Sequence, residues 1–275
     1  SLGGSETAGL CLSRELACLG HRVKVFSNCE NEGRFDDVQY HHINSWQVYV
    51  TTTQHDIAIG QRTPDAFLNR NAARLNYLWC HDLPLGRQAD KFRATMWNID
   101  KVIVLSSFMK EQYSRIYNLP ETVLFQSRNG IDLNRFPNVK NFKRNRKRLV
   151  YSARPERGLD VLIDRILPKL FELDPEIEVA LFGYDNPVDH LSQLYNELAD
   201  NLRIFGDKVK FIGQLSKPDL YREYCKSGIY TYPTPSPRME SFNEVSCIGL
   251  MEAQASGMPV VSSSRGALPE TLAKG

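Results

Sequence analysis

Ser227 to Glu270 reads SGIYTYPTPSPRMESFNEVSCIGLMEAQASGMPVVSSSRGALPE, and the succession of elements it implies decides the fold. Ile229–Tyr232 is a short aromatic and β-branched run, which reads as a strand. Pro233, Pro235 and Pro237 then force an irregular loop. From Glu244 to Ser256 the residues are helix-compatible and almost continuously apolar or small, and Gly257 with Pro259 ends the helix. Val260 and Val261 open the next strand. Strand, long loop, helix and strand in this order make one unit of a parallel α/β sheet.

Two carboxylates lie in the helical piece. Eight helical residues rise about 12 Å and turn about 80° beyond two revolutions, so Glu244 and Glu252 are expected on one broad side of one helix. Glu252 is the only charged residue between Glu244 and Arg265, in a helix with little polar surface. Such a helix is normally buried, and a buried carboxylate needs a partner. Either a basic residue distant in sequence reaches Glu252, or its carboxylate accepts hydrogen bonds from a ligand's hydroxyls.

Working towards the N-terminus, strands and helices alternate. Leu149–Ala153, Ile177–Phe182 and Val209–Ile212 read as strands. Leu159–Leu173, His190–Leu202 and Pro218–Lys226 read as helices, the last capped by Ser216. With the opening stretch this makes a Rossmann-like domain of about five strands. Before it, Lys140 to Arg148 holds six basic residues in nine. It is either a solvated inter-domain linker or a patch that attracts an anionic membrane surface or a phosphorylated acceptor; in both readings it marks a domain boundary.

The first 139 residues repeat the alternation. Strand-like runs fall at Val23–Ser27, Val38–His42, Asp56–Gly60, Leu75–Cys80, Lys101–Leu105 and Thr122–Gln126, with a helix at Ser107–Tyr117. A parallel sheet covered on both faces is expected. The chain itself opens on a glycine turn, Leu2-Gly3-Gly4-Ser5-Glu6, feeding a helix with Ser5 as N-cap and a core-facing stripe of Ala8, Leu12, Leu16 and Leu19. Such a turn brings backbone N–H groups close to a phosphate, although two glycines are also what a plain tight turn needs. The chain reads as cut at both ends: the strand before the glycine turn and the closing helices are expected to be missing. The domains are then 1–139, a linker at 140–148, and 149–275, with a ligand cleft between them.

Composition excludes several classes. Across 275 residues, 42% hydrophobic and 24% charged content fits a globular enzyme, and a net charge of +2 with no basic groove-reading helix argues against nucleic acid. Six dispersed cysteines without a C-x-x-C point to a reducing, cytoplasmic setting and away from a zinc site. No apolar run approaches the roughly 20 residues of a membrane span. Paired carboxylates of the D-x-D type, which would hold Mg²⁺ or Mn²⁺, are absent from the sequence.

The ordered set Gly3-Gly4-Ser5-Glu6, Trp79-Cys80-His81-Asp82, Asn129-Gly130-Ile131-Asp132, Arg154-Pro155-Glu156-Arg157-Gly158 and Glu244-x7-Glu252-Ala253, closing on Ala255 to Val261, resembles glycosyltransferase family 4. The resemblance implies a GT-B fold of two Rossmann-like domains facing a central cleft. It implies a retaining glycosyltransferase of hexosyltransferase type, independent of metal and of any other cofactor. A sugar would pass from a UDP-, GDP- or ADP-sugar to a saccharide, lipid-linked or protein acceptor.

Residue by residue, the resemblance assigns Glu252 to the ribose hydroxyls and Glu244 to the donor sugar. The N–H groups of Val245, Ser246, Cys247 and Ile248 would bind sugar or phosphate at a helix start. Arg154 and Arg157 would face the diphosphate, Gly3 and Gly4 would approach the phosphates, and His81 would stand near the sugar and the acceptor hydroxyl. The catalytic set is then His81, Glu244 and Arg154. Glu240-Ser241-Phe242 also resembles the opening of the E-x7-E motif, which makes Glu240 a rival of Glu244. A nucleotide-sugar epimerase or a non-catalytic nucleotide-sugar-binding piece are the competing functions.

Overall fold

The computed structural model describes residues 3–68, 73–183, 191–237, 240 and 242–272. Leu2, His190 and Ser241, which the motif and helix readings include, lie outside the described residues. The chain divides into two compact units, Ser1–Asn129 and Gly130–Gly275.

In the first unit α1 (Gly4–Cys18) leads into β1 (Lys24–Ser27), β2 (Gly33–Phe35) and β3 (Val38–His42), followed by α2 (Trp46–Thr52). Then come β4 (His55–Gln61), β5 (Ala73–Trp79), α3 (Ala89–Thr95), β6 (Lys101–Val104), α4 (Ser107–Tyr117) and β7 (Leu124–Gln126). β4–β7 form a four-stranded parallel sheet in sequence order, and β1–β3–β2 a separate sheet. The second sheet departs from the all-parallel expectation, because β2 runs antiparallel to β3. The reason is the two-residue turn between them. Asp36 and Asp37 sit at φ 48° and 61°, the pair of left-handed conformations that a tight hairpin requires.

The glycine turn also differs from expectation. Gly3, not Ser5, is the N-cap of α1, and the helix has no buried residue, so the stripe of Ala8, Leu12, Leu16 and Leu19 is not a core face. Leu19 is 75% exposed. In α4, by contrast, the Ser106 hydroxyl accepts from the Met109 N–H (3.2 Å), and Met109, Tyr113 and Tyr117 are buried.

The second unit is a five-stranded parallel sheet in the order β10–β9–β8–β11–β12. Its strands are β8 (Asn145–Tyr151), β9 (Glu178–Leu181), β10 (Val209–Phe211), β11 (Ser227–Tyr232) and β12 (Val260–Ser262). Counted from β8, this is the order 3-2-1-4-5 of a Rossmann-like sheet, which switches direction between β8 and β11. β11 lies inside the sheet between β8 and β12 and is buried along almost its whole length, as a strand covered on both faces should be.

The helices are α5 (Leu159–Val161), α6 (Leu167–Leu173), α7 (Ser192–Leu202), α8 (Lys217–Lys226), α9 (Ile248–Ala255) and α10 (Leu268–Thr271). A π-helical turn, Leu162–Ile166, joins α5 to α6 where one regular helix was expected. Pro168 explains it: the ring removes an N–H and crowds the carbonyl four residues back, so the preceding turn widens. Ser216 caps α8 as expected, accepting from the Asp219 N–H (3.3 Å).

The basic stretch 140–148 is not a solvated linker throughout. Its last four residues already belong to β8. Arg144 donates to the carbonyls of Tyr224, Ser227 (2.5 Å) and Ser256 (2.7 Å), tying the ends of α8 and α9 to the start of β11. Lys147 pairs with Asp174 and Glu176, and Arg148 with Glu223 (2.7 Å). Half of the six basic side chains are therefore consumed inside their own unit. Among the described residues no helix is long and apolar enough to cross a membrane.

Candidate functional site

In open α/β sheets ligands bind beyond the carboxyl ends of the strands at the switch point, here the ends of β8 and β11. The chain leaving β8 carries Arg154, Glu156, Arg157 and Gly158. The chain leaving β11 carries the proline loop and Glu244. Gly158 fixes how closely the two loops approach. It has φ +106°, and a Cβ there would run into the carbonyl of Pro233.

Glu244 is not in the helix. Its carbonyl accepts from the Ala267 N–H (2.7 Å), so it is not free to start the helical ladder, and α9 begins only at Ile248. Val245, Ser246 and Cys247 are thus a loop leading to the helix, with Cys247 as an N-cap that makes no side-chain capping bond. Glu244 is 7% exposed, whereas Glu240 is exposed and lies where Arg265 donates to its backbone carbonyl (2.9 Å). Burial separates the two rivals.

Three buried glutamates of this unit share one arrangement: each receives a tyrosine hydroxyl and faces a cation. Tyr232 donates to Glu244 (3.0 Å), with Arg157 3.9 Å away. Tyr221 donates to Glu252 (2.8 Å), and Lys217 reaches the same oxygen (2.6 Å). Tyr195 donates to Glu156 (2.7 Å), and Arg154 pairs with it (3.3 Å). Glu252 therefore has the distant basic partner that the sequence left open, 35 residues away. Its Oε1 is taken by these two bonds. Phe136 stacks on Tyr221 at 4.0 Å and steadies that hydroxyl.

The two arginines are placed differently. Arg154 turns to Glu156, while Arg157 lies 4.6 Å above the Phe242 ring and beside Glu244. Burial works against the Arg157 charge, yet Tyr232 and Glu244 hold its pKa above the ordinary guanidinium value. Burial pushes the Tyr232 hydroxyl up, with Glu244 acting in the same direction, so it stays protonated and donating.

In the first unit, His81 lies just beyond the end of β5. Its ring packs 4.4 Å from Trp79, and its Nε2 lies 3.0 Å from the Gln61 amide nitrogen. Burial pushes the imidazole down to about 4, with Asp82 opposing the shift and Arg62 adding to it. The ring is neutral at pH 7. Gly3 and Gly4 form the start of α1, and the Glu6 side chain folds back over Gly3, where an added Cβ would meet its carboxylate. Glu6 is held below the usual carboxyl range by its own backbone N–H, with help from Ser5 and Arg62. The Ser5 hydroxyl, read as a cap, instead donates to Glu6 (3.0 Å).

Sequence reasoning missed Gln61 and Arg62, the residues at the end of β4. Arg62 joins Asp82 (2.9 Å) and Glu6 (3.3 Å). The available signal was the run Gln61-Arg62-Thr63-Pro64, a polar strand end opened by a proline, with Arg62 in the left-handed region at φ 71°.

Residues 146–275 match the family model described as "Glycosyl transferases group 1". A curated relative, the GDP-mannose-dependent monoacylated alpha-(1-6)-phosphatidylinositol monomannoside mannosyltransferase of Corynebacterium glutamicum, is 27% identical over 118 residues, 43% of this chain and 29% of that protein. The chain covers less than a third of the length of the first three curated relatives it matches. Among solved structures, a glycosyltransferase from Rickettsia africae superposes with TM-score 0.74 at 18% identity, over 99% of this chain and 79% of that one. Anabaena HepE in complex with UDP-glucose superposes with TM-score 0.71 at 16% identity, over 100% of this chain and 80% of that one. These likenesses give the fold, GT-B. The matched residues 146–275 carry the switch point with Arg157, Glu244 and Glu252, so the likeness to glycosyl transferases group 1 rests on the second unit.

Proposed function

We propose that this protein transfers a sugar from a nucleotide-diphosphate-sugar donor to a hydroxyl acceptor, with retention at the anomeric carbon. The observation that carries this reading is the placing of Arg157 and Glu244 beside each other, 3.9 Å apart, at the switch point of a 3-2-1-4-5 sheet, with Glu252 in the helix that follows.

Each residue has a role that its surroundings support. Arg157, oriented by Glu244 and Phe242, supplies fixed positive charge where the departing nucleoside diphosphate gains negative charge. Charge neutralisation by arginine, in a sequence without D-x-D, favours a metal-independent reaction. The N–H groups of Val245, Ser246, Cys247 and Ile248 line the approach to α9 and suit sugar or phosphate oxygens. Glu252 accepts from the ribose through the oxygen not engaged by Lys217 and Tyr221. Arg154 takes a secondary place, since its charge is shared with Glu156. His81 contacts a sugar or acceptor hydroxyl, and Gly3 and Gly4 provide close backbone approach to phosphate. GDP-mannose use in the mannosyltransferase and UDP-glucose in HepE support a sugar-nucleotide donor and leave the base to experiment. The phosphatidylinositol monomannoside named for the first relative supports a saccharide or polyol acceptor.

Calorimetry with UDP, GDP and ADP sugars tests the reading. One of them should bind and raise the melting temperature, and Glu252→Ala should weaken it by about 1–3 kcal/mol if two ribose hydrogen bonds are lost. Absence of binding by every nucleotide sugar would end the transferase reading. Unchanged affinity with lowered stability in Glu252→Ala would make Glu252 a structural ion pair with Lys217.

A further inference from the structure

Gln61 is the last residue of β4 and pairs in register with Trp79, the last residue of β5; His81 follows two residues later. The Gln61 amide nitrogen lies 2.6 Å from the carbonyl oxygen of Ser5, in the first turn of α1, and 3.0 Å from Nε2 of His81. These two distances fix the chemistry of all three groups. A backbone carbonyl only accepts, so the side-chain atom facing it has to be the NH₂ group; with the amide reversed, two acceptor oxygens would oppose each other. The second hydrogen of that NH₂ is directed at His81, whose Nε2 therefore accepts. A neutral imidazole that accepts at Nε2 carries its proton on Nδ1.

We infer that Gln61 is a positioning residue that holds His81 as the Nδ1–H tautomer and presents that N–H as a hydrogen-bond donor. Among the described residues no protein group takes up the Nδ1 position. Two neighbours keep the amide and the imidazole in place. Gly9 lies beneath it, and a Cβ there would stand 2.7 Å from the Gln61 Oε1. The Trp79 ring packs against the imidazole and limits its rotation. The charged groups that act on the ring are Asp82 from its own segment, Arg62 from the end of β4 and Glu6 from α1. The same amide ties the glycine turn of α1 to His81, so the start of that helix and the imidazole are oriented together.

The tautomer is independent of whether sugar is transferred; only the purpose of the Nδ1–H, donation to a sugar or acceptor hydroxyl, rests on the transferase reading. The test uses ring-¹⁵N-histidine protein at pH 7, with His81 assigned from His81→Gln. Wild type should show an unprotonated Nε2 and a protonated Nδ1. Gln61→Met, which keeps length and removes the donor, should shift the proton towards Nε2. Gln61→Glu should draw it there, because a carboxylate accepts from Nε2. If Gln61→Met does not fold, as judged by far-ultraviolet dichroism, Gly9→Ala displaces the amide from below and should give the same change. An Nε2–H signal in wild type, or an Nδ1–H signal that survives the loss of the amide, would overturn the inference. With a donor that wild type uses, Gln61→Met should lower kcat about tenfold, as loss of a group orienting a histidine does, and leave KM for the donor nearly unchanged. An unchanged kcat in a variant whose tautomer has moved would overturn the purpose given to the Nδ1–H, donation to a sugar or acceptor hydroxyl. A wild-type protein that shows the expected tautomer but transfers no sugar would sink the transferase reading alone.

Discussion

In the second unit Glu244, Glu252 and Glu156 are at most 7% exposed, and each is met by a buried or half-buried tyrosine hydroxyl and a cation. In the first unit the charges near His81 lie in solvent: the Arg62, Glu6 and Asp82 side chains are 48%, 45% and 60% exposed. The same contrast holds for the helices. α9 buries Leu250, Glu252 and Ala253, whereas α1 buries nothing. Exposed ion pairs contribute about 0–1 kcal/mol each, while a buried pair that loses one member leaves an uncompensated charge. The second unit therefore orients its charges by packing. The first holds its charges by exposed ion pairs around Arg62, and its neutral His81 by the Gln61 amide.

The largest expected effect breaks the packed side. Gly158→Ala combines a left-handed backbone with a collision against the Pro233 carbonyl, where the two switch-point loops meet. It should lower unfolding free energy by about 3 kcal/mol. Urea unfolding measures it, and a loss below about 1 kcal/mol would mean that the loops yield freely.

The next effect belongs to the first unit. His81 titrates at about 4 in the folded chain against 6.5 when unfolded. Between those values the unfolded chain binds more protons, so stability is fully present above pH 6.5 and is lost as pH falls towards 4. The gross linkage, discounted for partial exposure of the ring, comes to about 2 kcal/mol. Glu6, with its lowered pKa, adds a further loss in the same direction below about 4.5. Unfolding midpoints measured from pH 7 to 4.5 should fall more steeply in wild type than in His81→Gln; equal slopes would show that the ring is solvated.

A pair of variants tests the helix contrast directly, and its Leu12→Ala member carries the smallest effect. Leu250 is completely buried in α9, and Leu250→Ala should cost about 3 kcal/mol. Leu12→Ala, on the stripe of α1, should cost about 1 kcal/mol or less. Equal losses would show that α1 is packed as firmly as α9.

Much of this was legible because it is local in sequence. The aromatic and β-branched run at 229–232, the Ser216 cap, the helix at 107–117 and the buried character of Glu252 follow from periodicity and turn chemistry over a few residues. The hairpin at Asp36-Asp37 was local too, but its turn uses aspartates where glycine or asparagine is the stronger signal. The helix start at Ile248 was not local: it is set by Ala267 taking the Glu244 carbonyl from 23 residues away in the chain. Nor was the fate of the basic stretch, since Arg144 is spent on carbonyls 80 to 112 residues distant.

The sequence by itself determined the kind of elements, the α/β alternation, and that a carboxylate would be buried in the helix after the proline loop. Propensity and burial patterning act through each residue's own side chain and close neighbours, so they can be read along the chain. Only the tertiary structure decided the partners: Lys217 and Tyr221 for Glu252, Tyr232 and Arg157 for Glu244, Ser5 and His81 for Gln61. Which distant groups meet is set by strand order and loop path, and a hydrogen bond tolerates only a few tenths of an ångström. Those quantities exist only once the sheets have formed.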